Sequence, residues 1–150
     1  MHRQSFSQPV SVDSSAEVAG SSSRHSMTRS VLESWLRLRA IEGVGDLTVV
    51  RLVCAWHSPE AVLRASRDEL IQNGCSSQLA DAIRRGPDSP ACRNIERELK
   101  AVERERVEVL SLLDPAYPAR LKMITDPPPL LYVTGTLTDQ DALAVAIVGA

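Results

Sequence analysis

Leu38-x-x-Ile41-x-Gly43-Val44-Gly45, followed by Leu47, Val50 and Leu52, has the glycine and apolar spacing of a helix-hairpin-helix. Glycines let the chain turn sharply and come close to a partner. The amides that open the next helix then point outward, where the helix dipole favours an anion. In DNA-binding hairpins that anion is a backbone phosphate. On that reading Gly43, Val44 and Gly45 meet the phosphate, and Arg37, Arg39 and Arg51 are the nearest cations. Leu70-x-x-Asn73-Gly74-Cys75-Ser76, with Leu79, Ala80 and Ile83, reads as a degenerate second copy, and paired hairpins pack as one small domain. The charges argue against DNA. Glu42 and Asp46 flank the first turn, and residues 31–110 hold 12 basic and 13 acidic side chains, a net −1. Phosphate affinity grows with the charge neutralised. The residues therefore favour a packed helical domain used for spacing or protein contacts over a hairpin that grips DNA.

Catalysis finds little material. Of the three histidines, His2 and His25 lie near the start, and His57 ends a helical stretch. No Ser/His/Asp or Cys/His set and no metal-spaced carboxylates stand out, so no catalytic residue, metal or cofactor is expected. Cys54 reads as core, and Trp35 and Trp56 sit at helical apolar spacing rather than as stacking platforms. The remaining signal is the run Ala144-Val145-Ala146-Ile147-Val148 into Gly149, the way a Rossmann-type sheet enters its phosphate-binding turn.

The elements that would carry these residues emerge from periodicity. Val31, Leu32, Trp35, Leu36 and Leu38 recur at helical spacing. Asp46 or Thr48 can cap a second helix with an apolar face of Leu47, Val50, Leu52, Val53 and Trp56. Ser58-Pro59-Glu60 reads as N-cap and first turn of a third, and Ser66 to Glu69 as a capping box. Asn73-Gly74 stops that helix; Ser76 or Ser77 starts another, which Gly86-Pro87 ends. Ser89-Pro90 opens a longer helix with Cys92, Ile95, Leu99 and Val102 on one face. Its wet side carries the pairs Glu96–Lys100 and Arg104–Glu108. Strands are expected at Val107 to Leu112, at Leu130 to Val133, and at residues 144–149. The last is apolar throughout, as in a parallel sheet covered on both faces. Without later neighbours, residues 107–150 are expected to be loosely ordered or to associate.

Composition sets the bounds. The chain has 150 residues, 43% of them hydrophobic, with a net charge of −2. That suits a globular protein and not a general electrostatic binder of DNA or anionic membrane. No apolar run approaches the ~20 residues of a membrane span. Three widely spaced cysteines build no disulfide framework, and a reducing cytoplasm is expected. Ten of the 17 serines fall in the first 30 residues, so residues 1–29 read as a disordered tail. Residues 30–88 read as a helix-hairpin-helix (SAM-like) helical domain, and 89–150 as the opening of a Rossmann-like α/β domain.

Tyr117-Pro118-x-x-Leu121-x-x-Ile124-x-Asp126-Pro127-Pro128-x-Leu130-Leu131-Tyr132-x-x-Gly135, then Val145-Ala146-Ile147-Val148-Gly149-Ala150, resembles the DNA-processing DprA/Smf family. Gly43, Gly45 and the Gly74 repeat fit that family's N-terminal helical domain, so the resemblance covers about residues 31–150. It implies a helical domain followed by an extended Rossmann-like domain. It also implies single-stranded DNA binding without enzymatic turnover, protection of incoming strands in natural transformation, and loading of the RecA recombinase. Gly149 and Ala150 match the start of a turn that contributes to the family's DNA pocket. The family's further DNA surface, and its homodimer contact, belong to later parts of the Rossmann-like domain. The chain on its own is accordingly expected to be incomplete, whether as a gene fragment, a frameshifted product or a designed cut, and to fail in single-strand binding and RecA recruitment.

Overall fold

The computed structural model describes residues 27–138. Six helices come first: α1 (Arg29–Arg39), α2 (Asp46–Trp56), α3 (Pro59–Arg64), α4 (Arg67–Gln72), α5 (Ser77–Arg85) and α6 (Ser89–Glu105). They are followed by β1 (Glu108–Ser111), the short α7 (Ala119–Lys122) and β2 (Leu130–Val133). The proposed tail, the apolar run at 144–148, and Gly149 and Ala150 lie outside the described residues.

Most helix starts are written into local chemistry. The Thr28 hydroxyl accepts from the Val31 amide, Ser58 from Ala61, Ser76 from Leu79 and Asp88 from Ala91. Ser66 and Glu69 form the full reciprocal capping box. One cap differs from the sequence reading: Gly45, not Asp46 or Thr48, caps α2, without a side-chain bond. Helix α6 opens at Ser89 as expected, capped by Asp88, whose carboxylate reaches the Ala91 amide at 2.7 Å. Arg106 ends α6 in the left-handed conformation with φ 52°. That stop places Glu108 in a strand, so Arg104 pairs with Glu105 instead of Glu108. The expected Glu96–Lys100 pair is present at 3.5 Å.

One apolar cluster joins these pieces. Helix α1 buries Leu32, Trp35, Leu36 and Leu38, packing on α3 and α6. From α2 the buried residues are Val49, Leu52 and Val53; Leu47 points outward at 54% exposure and Cys54 is exposed, not core. The apolar face of α2 is thus rotated from the sequence reading, because Val49 and Val53 lie between α1 and α3 neighbours. Ile95 and Leu99 of α6 join the cluster, with Val102 packed against it, whereas Cys92 is exposed. Arg29 clamps α1 to α6, donating to Glu103 at 2.5 Å and to Glu96 at 3.0 Å. Such exposed pairs add little stability but set the orientation of the two helices.

β1 and β2 are antiparallel, with Leu110 opposite Leu131 and Ser111 opposite Leu130. Residues 107–138 therefore do not wait for later strands. Val109 and Leu130 enter the same core as the helices, so the two strands satisfy each other's backbone and gain cover from α6.

Turn backbones separate two glycines that look equivalent in sequence. Gly43 has φ +82°, which L side chains rarely adopt. Gly45 has φ −79° and open space where a Cβ would stand, so it needs neither unusual φ nor close approach. Replacing Gly43 by Ala is expected to cost roughly 1–2 kcal/mol. Gly45→Ser should change stability by only a few tenths of a kcal/mol, since both are accepted caps. Thermal melts of the two variants check this; equal losses would contradict the turn geometry.

Candidate functional site

The first turn sits between α1 and α2. The Val44 amide bonds the Ile41 carbonyl at 3.0 Å, and Ile41 and Val44 are both buried beneath it. Gly43 and Gly45 are exposed, and the α2 N-terminus comes directly after them. Asp46 occupies the first position of that helix. Its Oδ1 accepts from Arg39 Nε at 3.1 Å across the turn. The carboxylate puts a negative charge in the first turn of α2, and Arg39 is already engaged by it. Arg37 is likewise taken up, by Glu33 one turn back on α1 at 3.2 Å. Of the three arginines singled out, only Arg51 makes no ion pair with a described residue. It lies on α2, near the buried Cys75 of the second turn, whose thiol burial pushes up in pKa.

The second turn repeats the form. Gly74 has φ +87°, the Cys75 amide bonds the Leu70 carbonyl at 3.0 Å, and Ser76 caps α5. Arg67 reaches Asp81 at 2.7 Å and holds that carboxyl below its usual pKa. Arg84 donates to the carbonyls of Leu63 and Ala65, tying α5 to the end of α3. These cations serve the packing of α3, α4 and α5.

Residues 112–129, between the two strands, are fastened to them. The Leu112 amide bonds the Pro129 carbonyl at 3.0 Å. Tyr117 is buried, and its hydroxyl donates to the Pro128 carbonyl at 2.8 Å. Burial raises the pKa of that phenol. Lys122 lies over the Tyr117 ring, 5.5 Å from its centroid, and donates to the Asp114 carbonyl. Pro127 and Pro129 are buried, and Gly135 stands just after β2 with φ +97°. At the other end, the Tyr132 hydroxyl meets the Glu98 carboxylate on α6. Its pKa is raised, by burial first and then by that carboxylate. Among the described residues no group of His, Cys, Asp and Glu could hold a metal ion, and no helix is long and apolar enough to cross a membrane.

Residues 108–150 match the family model described as DNA recombination-mediator protein A. That match opens at the first residue of β1 and runs through the Tyr117–Pro128 fastening. The chain is also 33% identical, over 81 residues, to the protein Smf of Borreliella burgdorferi. These matches make the chain similar to the DprA/Smf family over part of its length. The aligned segment is 54% of this chain and 26% of that relative, so the chain spans about a quarter of it.

Within the matched segment, Tyr117 and the prolines 127–129 are architectural in this structure. Tyr117, Pro128 and Pro129 close the connection and so hold the facing ends of β1 and β2 in register. In the sequence the Tyr-Pro and Asp-Pro-Pro motifs stand apart, with no sign of contact between them. The buried ring and the hydrogen bond across 11 positions are invisible in a linear pattern. Removing the hydroxyl in Tyr117→Phe should lower stability by about 1 kcal/mol. Tyr117→Ala, which also leaves a cavity, should lower it by ~3 kcal/mol or more. Urea denaturation of both variants measures the difference; a neutral Tyr117→Phe would show that the bond to Pro128 is not formed in solution.

Proposed function

We propose that this chain is the N-terminal part of a DprA-like recombination mediator. In this reading its whole protein binds single-stranded DNA in DNA uptake and loads a RecA-type recombinase, without catalytic turnover. The observation that carries the reading is the family match over residues 108–150, which falls on the β1–β2 unit. That unit would open the Rossmann-like domain, and the phosphate-approaching turn would begin at Gly149 and Ala150. The helices of residues 30–88 would form the family's helix-hairpin-helix domain.

The helical part has a different use in this proposal. Asp46 sets a negative charge in the first turn of α2, and Arg37 and Arg39 are paired within the domain. We assign it a protein-contact role, with the DNA pocket supplied by the Rossmann-like part.

Two titrations test the division. With a short labelled duplex, fluorescence anisotropy should show no saturable binding tighter than the roughly 10⁻⁴ to 10⁻⁶ M of non-specific contact. Submicromolar duplex binding lost in Arg37→Ala/Arg51→Ala would instead establish a DNA-gripping hairpin. With a labelled single strand, the chain fused to the part of Borreliella burgdorferi Smf C-terminal to its aligned segment should bind at least about tenfold tighter than the chain alone, a difference of ~1.4 kcal/mol. Equal affinities would remove the proposed location of the DNA pocket.

A further inference from the structure

Helix α2 is apolar on both faces. Of its residues Asp46–Trp56, only Asp46 and Arg51 are charged. Val49, Leu52 and Val53 face the core. The opposite side carries Leu47, Val50 and Cys54 in one stripe, spaced three and then four residues apart. Leu47 and Cys54 are exposed and Val50 is half-buried. The other long helices carry charges there: Glu33 and Arg37 on α1, Asp81 and Arg85 on α5, Glu96 and Lys100 on α6. A helix that is hydrophobic all round belongs in an interior, yet half of α2 faces water.

The order of charges around the stripe names its cover. The spacing of Leu47, Val50 and Cys54 is that of a coiled-coil seam. Asp46 and Arg51 lie on opposite flanks of that seam, five residues apart. Parallel helices pair an acid on one flank with the base five residues on in the neighbour. Antiparallel helices would instead set Asp46 beside Asp46 and Arg51 beside Arg51. Both groups are available. Arg51 makes no ion pair with a described residue, and Asp46 gives only Oδ1 to Arg39. The stripe is therefore complementary to itself in one orientation.

We propose that the outer face of α2 is a contact between two copies of this chain, with the two helices side by side and parallel. Leu47, Val50 and Cys54 of each copy meet their counterparts, and Asp46 of each pairs with Arg51 of the other. The contact is separate from the homodimer surface that the family resemblance places later in the Rossmann-like domain, and it stands whether or not the DNA role does. One short helix face is smaller than the roughly 800 Å² per partner of a standard interface. Self-association is accordingly weak, with a dissociation constant between about 1 μM and 1 mM.

Sedimentation velocity of the 150-residue chain across that concentration range is the test. The expected result is a reversible dimer that Leu47→Glu weakens by about tenfold or more, with circular dichroism unchanged because Leu47 points outward. Arg51→Glu should weaken it as well, and Asp46→Lys/Arg51→Glu should restore it. Mild oxidation with diamide should give an interchain disulfide that Cys54→Ser abolishes and Cys92→Ser leaves intact. A monomer throughout the range overturns the proposal. So does a dimer indifferent to Leu47→Glu, a charge swap that fails to restore pairing, or a cross-link that needs Cys92 and not Cys54.

Discussion

Burial of the inner face of α1 is the interaction on which the other elements depend. Leu32, Trp35, Leu36 and Leu38 are each almost fully removed from water. Each such side chain contributes roughly 1.5–3 kcal/mol by burial. The helices α3, α4 and α5 have 6, 6 and 9 residues, too short to persist alone. They acquire order from that shared surface and from caps that settle where each begins. The long α6 reaches from the helices to the sheet, and its Ile95 and Leu99 bring Val109 and Leu130 into the same cluster.

The same packing sets the backbone of the first turn. Burying Ile41 and Val44 forces the left-handed backbone at Gly43 and leaves the α2 amides facing out. That geometry attracts an anion. Asp46 puts a negative charge in the first turn of α2 from within the chain, and Arg39 pairs with it. The surrounding helices carry a net charge near zero.

The family segment shows a comparable division between architecture and surface. Tyr117 and the proline run commit their side chains to closing an 18-residue connection. Long connections of this kind are usually mobile or functional, and here the buried phenol removes much of that freedom. What remains outward is α7, which buries no side chain. Met123 is 83% exposed beside it. The conformation of the connection thus rests on its anchors rather than on the helix it carries.

Much of this is legible in the residues themselves. Caps at Ser58, Ser66 and Ser76, the glycine turns at Gly43 and Gly74, and the helix and strand order all come from local hydrogen bonding and φ preference, which act over three or four residues. The DprA/Smf resemblance is legible for the same reason: its Tyr-Pro and Asp-Pro-Pro pattern records a local chain geometry. Contacts between distant segments are not. Whether Gly45 needs to be glycine, which way α2 faces, whether Cys54 is core, and where Arg39 and Glu108 find their places depend on neighbours many residues away. Periodicity marks an apolar face only to within a residue or so when a helix is apolar all round, as α2 is. Only packing against α1 and α3 chose Val49 and Val53 for the interior and left Leu47 and Cys54 in water.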